Sequence, residues 1–136
     1  MQENLPEICV VGLGYVGLSN AVLLAQKNNV TAVDIDLFRV DCVNERTAYL
    51  KDEKLSEFFS ARKLNLVATT DLKGACSKSD YIVIATPTNF DAVNNSFDTS
   101  TVESIIKQVV TINPNALIVV KSTVPIGFVD SMRLKF

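Results

Sequence analysis

The chain has 136 residues, 48% of them hydrophobic, with 13 Lys and Arg against 15 Asp and Glu, no His, no Trp and 3 Cys. A chain of this length makes one ordinary domain and buries about two-thirds of its unfolded surface, so its core needs no disulfide or metal staple. A formal charge of -2 argues against nucleic acid or an anionic membrane as main partner, and the lack of His argues against a zinc cluster or an internal Ser-His or Cys-His pair.

The opening segment, residues 1–7, lacks the basic and apolar regions of a signal peptide, and the longest nearly apolar run, residues 8–18, is too short to span a bilayer. Without a secretory signal, Cys9, Cys42 and Cys76 fit a reducing, cytoplasmic setting as small buried hydrophobes. The first predicted strand covers residues 8–11 and leads to a helix over 16–26, stopped by Asn28-Asn29. A second strand follows at 30–33. Next come helices over 37–43, capped by Asp36, and over 55–62, capped by Asp52 or Ser56. The third strand is 66–69, with Asp71 as a further cap, and the fourth is 81–85. A polar loop over 88–100 then leads to a helix at 101–110, capped by Asp98 or Thr99, whose Val102, Ile105, Ile106, Val109 and Val110 form one stripe. The fifth strand is 117–120, and a last helix begins after Pro125.

The strand runs are β-branched and continuous instead of alternating, as in a parallel sheet covered on both faces. Strand and helix alternate with short connections and no repeat, which predicts a single doubly wound α/β sheet, three layers deep, with right-handed crossovers. The end of the chain, Met132 to Phe136, carries no helix-closing residue, and we expect residues 1–136 to be the front part of a longer protein.

The strongest local signal is Gly12-Leu13-Gly14-Tyr15-Val16-Gly17, a G-x-G-x-x-G between the first strand and the first helix. Gly12 permits a tight turn, Gly14 lets the backbone approach a pyrophosphate, and Gly17 allows close helix-sheet packing, as in a Rossmann-like dinucleotide site. The free N–H groups of the first helical turn then face an anion. Asp34 ends the second strand roughly 20 residues past the turn, where a carboxylate accepts hydrogen bonds from the adenosine ribose. With Asp36 two residues on, a 2'-phosphate would meet like charge at ~5 Å, worth roughly 3 kcal/mol per unit pair at a dielectric of about 20. NAD is therefore expected over NADP. Arg39 either accepts a phosphate at the same rim or covers the adenine, and Asp36 is more simply a helix cap than a ligand contact.

Two further strand ends carry hydroxyls: Ala85-Thr86-Pro87-Thr88-Asn89 and Lys121-Ser122-Thr123-Val124-Pro125-Ile126-Gly127. In an open parallel sheet the nicotinamide half of a dinucleotide lies beyond such ends. Pro87 and Pro125 stiffen both turns. The simpler alternative is that these Thr and Ser residues cap local turns.

Taken with Leu18-Ser19, Val33-Asp34-Ile35-Asp36 and Arg39-Val40, these four motifs in this order resemble the UDP-glucose/GDP-mannose dehydrogenases over essentially the whole chain. The resemblance implies an NAD-dependent oxidoreductase that converts the C6 alcohol of a nucleotide sugar to a carboxylate in two hydride transfers. It implies that the Tyr15-Val16 backbone meets the pyrophosphate, that Asp34 holds the ribose, and that Thr88 and Thr123 lie on the nicotinamide side. Thr123 also matches the family threonine that holds the hydrolytic water, which is its expected catalytic role. Lys121 matches a family lysine whose role here is equally consistent with structure. The family's covalent cysteine, second lysine and dimer contacts lie downstream of these motifs, so this segment alone is expected to be inactive and is compatible with a monomer, although the full enzyme is expected to be a homodimer. Residues 48–53, Ala-Tyr-Leu-Lys-Asp-Glu, depart from the Pro-Ile segment common in the family, which leaves Asp52 and Glu53 open as substrate-side contacts.

Two rivals remain from the residues alone. A Rossmann module can sense NAD without chemistry, and S-adenosylmethionine sites also pair a glycine loop with an acid after the second strand. The Thr-Pro-Thr and Lys-Ser-Thr-Val-Pro-Ile-Gly strand ends favour the dehydrogenase.

Overall fold

A computed structural model describes residues 4–61 and 63–136. Residues 1–3 and Arg62, the expected end of the third helix, lie outside the described residues.

Five strands form one parallel sheet: β1 (Glu7–Val11), β2 (Asn29–Val33), β3 (Leu66–Thr69), β4 (Tyr81–Ile84) and β7 (Leu117–Val120), in the order β3-β2-β1-β4-β7. The pairing is in register along the apolar runs: Val10 lies between Ala32 and Val83, and Val11 between Val33 and Ile84. Side chains alternate across each strand, which splits β1 between two cores. Ile8 and Val10 face one side with Val30, Ala32, Leu66 and Val83. Cys9 and Val11 face the other with Ile82 and Ile84.

Three helices cover the first face. They are α1 (Tyr15–Leu24), which buries Leu18, Ala21 and Val22, α2 (Leu37–Asn44), which buries Val40 and Val43, and α3 (Glu53–Ala61), which contributes Leu55 and Phe59. The second face is covered by α4 (Leu72–Ser77) through Cys76, α5 (Ser100–Ile112) through Val102, Ile106 and Val109, and α6 (Phe128–Lys135) through Phe128. Each fully buried Leu, Ile or Val contributes roughly 1.5–3 kcal/mol relative to exposure, so two apolar layers hold the sheet and the expected doubly wound architecture is observed.

The caps follow the sequence closely. The carboxylate of Asp36 accepts from Phe38 N–H at 3.0 Å and opens α2, and that of Asp71 accepts from Gly74 N–H at 3.0 Å and opens α4. For α3 the cap is Asp52, which accepts from Leu55 N–H, while the Ser56 hydroxyl turns back to the Asp52 carbonyl. At α5 the capping position is Thr99, but the side chain that accepts a backbone N–H there is Asp98, from Ser100.

Helix bounds shift at several ends, with α3 beginning at Glu53 and α5 running over Ser100–Ile112, and other local features also differ from expectation. The first helix ends at Leu24 instead of Gln26. A short helix, α4, occupies residues for which only a cap was expected. The loop over 88–100 contains an antiparallel hairpin, β5 (Asn89–Asp91) and β6 (Ser96–Asp98), held by an edge-on contact between Phe90 and Phe97 at 5.2 Å between centroids. The carboxylate of Asp91 accepts from Val93 N–H and from the Asn94 amide, which folds the turn. Among the described residues, no helix is long and apolar enough to cross a membrane.

Candidate functional site

β1 and β4 are neighbours in the sheet, but the chain reaches β4 only after passing through β2 and β3. The connections after these two strands therefore diverge and open a crevice at their carboxyl ends. Four segments meet at that edge of the sheet: the glycine turn after β1, Asp34 after β2, Thr86 to Thr88 after β4, and Ser122-Thr123 after β7.

The three glycines do different work. Gly12 has φ 100, and a Cβ there would lie 2.8 Å from the Ala85 carbonyl oxygen. Its N–H donates to the Val33 carbonyl at 2.7 Å, which ties the turn to the end of β2. A Cβ on Gly17 would fall 1.7 Å from the Gly12 carbonyl oxygen, so α1 lies directly on the turn it follows. At Gly14 a Cβ would meet nothing within 4 Å. Open space therefore lies against the backbone where α1 begins.

The first internal bond of α1 runs from Leu18 N–H to the Gly14 carbonyl at 2.9 Å. The N–H groups of Tyr15, Val16 and Gly17 thus have no acceptor within the helix. Among the described residues no side chain caps them, and the first turn carries no acid. Unfilled donors with an open approach suit a phosphate, and the helix dipole adds to the attraction.

Asp34 is built into the turn as well as facing it. Its Oδ2 accepts from Leu13 N–H at 2.7 Å, and its Oδ1 accepts from Asp36 N–H at 2.9 Å. Arg39 lies 3.6 Å from Asp34 Oδ2 and 3.6 Å from Asp36 Oδ2, so one guanidinium bridges the two carboxylates. The rim at the end of β2 therefore carries a net single negative charge. Each Asp34 oxygen retains a lone pair for a hydroxyl donor, because a carboxylate oxygen accepts two bonds.

The connection between α2 and α3 braces the glycine loop in a way the sequence did not reveal. The Tyr49 hydroxyl donates to the Leu13 carbonyl at 2.6 Å. The Tyr15 hydroxyl donates to Asp52 in a short hydrogen bond. That bond raises the Tyr15 phenol above its ordinary range and lowers the Asp52 carboxyl. Asp52 is thereby committed to Tyr15 and to the N-terminus of α3. Both ties join residues far apart in the chain, with separations of 36 and 37, and nothing local in the sequence signals either.

On the opposite rim, the Thr88 hydroxyl donates to the Thr123 carbonyl at 2.9 Å, and the Ser122 hydroxyl donates to the Thr86 carbonyl at 2.7 Å. The structure thus brings the two hydroxyl-bearing strand ends together and leaves Thr123 exposed. Thr86 Oγ1 is buried without a hydrogen-bond partner among the described residues. Lys121 is exposed and borders a groove with Asn20, Val83 and Val119 on the α1 side of the sheet. Cys9, Cys42 and Cys76 are all buried, with the Cys9 and Cys76 sulfurs 3.8 Å apart. The hydrogen bond to Cys76 and burial push the Cys9 thiol well above its ordinary range. Among the described residues, no cluster of His, Cys, Asp and Glu is placed to hold a metal ion.

A glycine turn, unfilled helix-terminal donors and an acid at the next strand end, all at a sheet switch point, define a dinucleotide-binding Rossmann domain. Residues 6–135 match the model of the UDP-glucose/GDP-mannose dehydrogenase family, NAD binding domain. The chain is 42% identical over 96% of its length to the UDP-glucose 6-dehydrogenase of Streptococcus pneumoniae, and 39% identical over 96% of its length to that of Campylobacter jejuni. It covers 33% and 34% of those relatives, about a third of their length. A solved UDP-glucose dehydrogenase from the archaeon Pyrobaculum islandicum superposes with a TM-score of 0.84 at 26% identity, over 98% of this chain and 32% of that one. The chain belongs to the UDP-glucose/GDP-mannose dehydrogenase family, as its NAD-binding domain.

Proposed function

We propose that this chain is the cofactor-binding part of a longer nucleotide-sugar dehydrogenase, and that the whole protein oxidises the C6 alcohol of UDP-glucose to UDP-glucuronate. The observation that carries the reading is the open backbone at Gly14 beneath the unfilled N–H groups of α1, next to Asp34. Tyr15 and Val16 N–H groups hold the pyrophosphate, assisted by the closeness that Gly12, Gly14 and Gly17 allow. Asp34 accepts from the adenosine ribose hydroxyls. Arg39, held between two carboxylates, shields the adenosine rim without offering an unpaired cation to a 2'-phosphate. Thr88 and Thr123 position the nicotinamide end, and Thr123 orients the water of the final hydrolysis, since fixing an attacking group supplies orientation that bulk water lacks. Bound NAD supplies the hydride acceptor. The nucleotide sugar sits mainly on segments beyond residue 136, the full enzyme is a cytoplasmic homodimer, and residues 1–136 are monomeric. The family's own breadth keeps a second reading open, in which the sugar is UDP-N-acetyl-mannosamine or GDP-mannose.

Ligand-induced stabilisation tests the cofactor reading. NAD at about a hundred times its dissociation constant adds roughly 2.7 kcal/mol to the free energy of unfolding, a rise in Tm of several degrees. NADP and S-adenosylmethionine at equal concentration are expected to give much smaller rises; an equal response to NADP overturns the role given to the Asp34–Asp36 rim. Separately, residues 1–136 alone are expected to show no NADH formation with UDP-glucose in a spectrophotometric assay, and measurable turnover overturns the division of labour.

A further inference from the structure

Leu13 lies between the strained turn at Gly12 and the open backbone at Gly14, and both of its backbone polar groups are held from outside the loop. Its N–H donates to Asp34 Oδ2 at 2.7 Å, and its carbonyl accepts from the Tyr49 hydroxyl at 2.6 Å. A peptide unit is planar, with C=O and N–H pointing in opposite directions. Holding the Leu13 N–H fixes the Gly12–Leu13 plane, and holding the Leu13 carbonyl fixes the Leu13–Gly14 plane and with it the direction of the Gly14 N–H. Two consecutive planes in the tightest part of the loop are thus set by two side chains, one of them Tyr49.

We propose that Tyr49 is a positioning residue for the cofactor loop: its hydroxyl locks the Leu13–Gly14 peptide, so the turn is already in its binding shape before a dinucleotide phosphate arrives. The ring is held for this task, half-buried and edge-on to Phe38 at 6.5 Å between centroids. Burial is also the largest influence on the phenol and keeps it protonated, reinforced by Asp34 and opposed by Arg39. The hydroxyl is therefore a donor throughout the ordinary pH range. Preorganisation of this kind raises affinity by removing the cost of ordering the loop on binding.

The proposal rests on the NAD-binding reading, and the Tyr49→Phe variant separates the two. The substitution removes the hydroxyl and keeps the ring against Phe38. The dissociation constant for NAD, measured calorimetrically, is expected to rise about tenfold, equivalent to about 1.4 kcal/mol, with Tm changed by no more than a few degrees. Amide hydrogen exchange at Leu13 is expected to quicken while Val10 and Ile82 in the sheet keep their protection. An unchanged dissociation constant together with unchanged Leu13 exchange overturns the proposal. So does a weaker affinity that comes only with a general loss of protection, since that is a merely structural role. If the unaltered chain fails to bind NAD, the cofactor reading falls, and the Leu13 exchange rate alone then decides whether Tyr49 locks the loop.

Discussion

Asp34→Ala is expected to weaken NAD binding by roughly 1–3 kcal/mol, a factor of about 5 to 150 in dissociation constant, and to lower the stability of the domain at the same time. The two effects have separate causes. In the proposed binding mode the ribose hydroxyls lose a charged acceptor, which accounts for the expected fall in affinity. Meanwhile Leu13 N–H and Asp36 N–H, each bonded to one carboxylate oxygen at 2.7 Å and 2.9 Å, lose their acceptors. A buried donor left unmet costs about 1–3 kcal/mol; that penalty falls on the N–H of Leu13, a fully buried residue, whereas the Asp36 N–H lies at the exposed rim, where water replaces the carboxylate. Asp34→Asn distinguishes the contributions. An amide offers one oxygen, so it satisfies one of the two N–H groups and turns an NH2 toward the other. We expect the asparagine variant to lie between wild type and alanine in Tm, measured by calorimetry. A Tm for Asp34→Ala equal to wild type shows that these two backbone bonds do not hold the turn.

This double role shows where the sequence was informative and where it was not. The position of Asp34 at the end of β2 is legible, because Val30-Thr31-Ala32-Val33 is a β-branched run without charge and the acid is the first charged residue after it. The sheet was legible for the same reason: strands covered on both faces leave an unmistakable pattern. That Asp34 also accepts from Leu13 is a contact between residues 21 apart, and nothing local encodes it. The Tyr49–Leu13 and Tyr15–Asp52 bonds are hidden for the same reason, with separations of 36 and 37. α4 is short and contains Gly74, so its helical period barely has room to register. The hairpin after β4 has strands of three residues each, below the length at which alternation can be told from a polar loop. Asp71 nevertheless marked the start of α4 correctly, because a cap depends only on the next few residues.

Within the glycine loop, substitution by alanine is expected to separate fold from function. Gly17→Ala puts a methyl group 1.7 Å from the Gly12 carbonyl oxygen, a backbone atom that cannot turn aside. Either α1 lifts from the sheet or the turn opens. Since Leu18, Ala21 and Val22 next along α1 are buried in the first core, lifting the helix disturbs packing well beyond the contact. Overpacking of this kind costs typically 1–3 kcal/mol and more where the backbone must move. We expect a markedly lower denaturation midpoint in urea, with NAD binding lost as a consequence. Gly14→Ala is the opposite case. Its backbone, at φ -71 and ψ -167, is open to any residue, and its methyl group would meet nothing within 4 Å. Stability should stay within about 0.5 kcal/mol of wild type, as for surface changes that touch nothing. The methyl group would occupy the space in which a pyrophosphate must approach the Tyr15 and Val16 N–H groups, so NAD affinity should fall by tenfold or more. A Gly14→Ala variant that keeps both its stability and its NAD affinity would remove the diphosphate from this turn, because the space open at Gly14 would then be without a ligand.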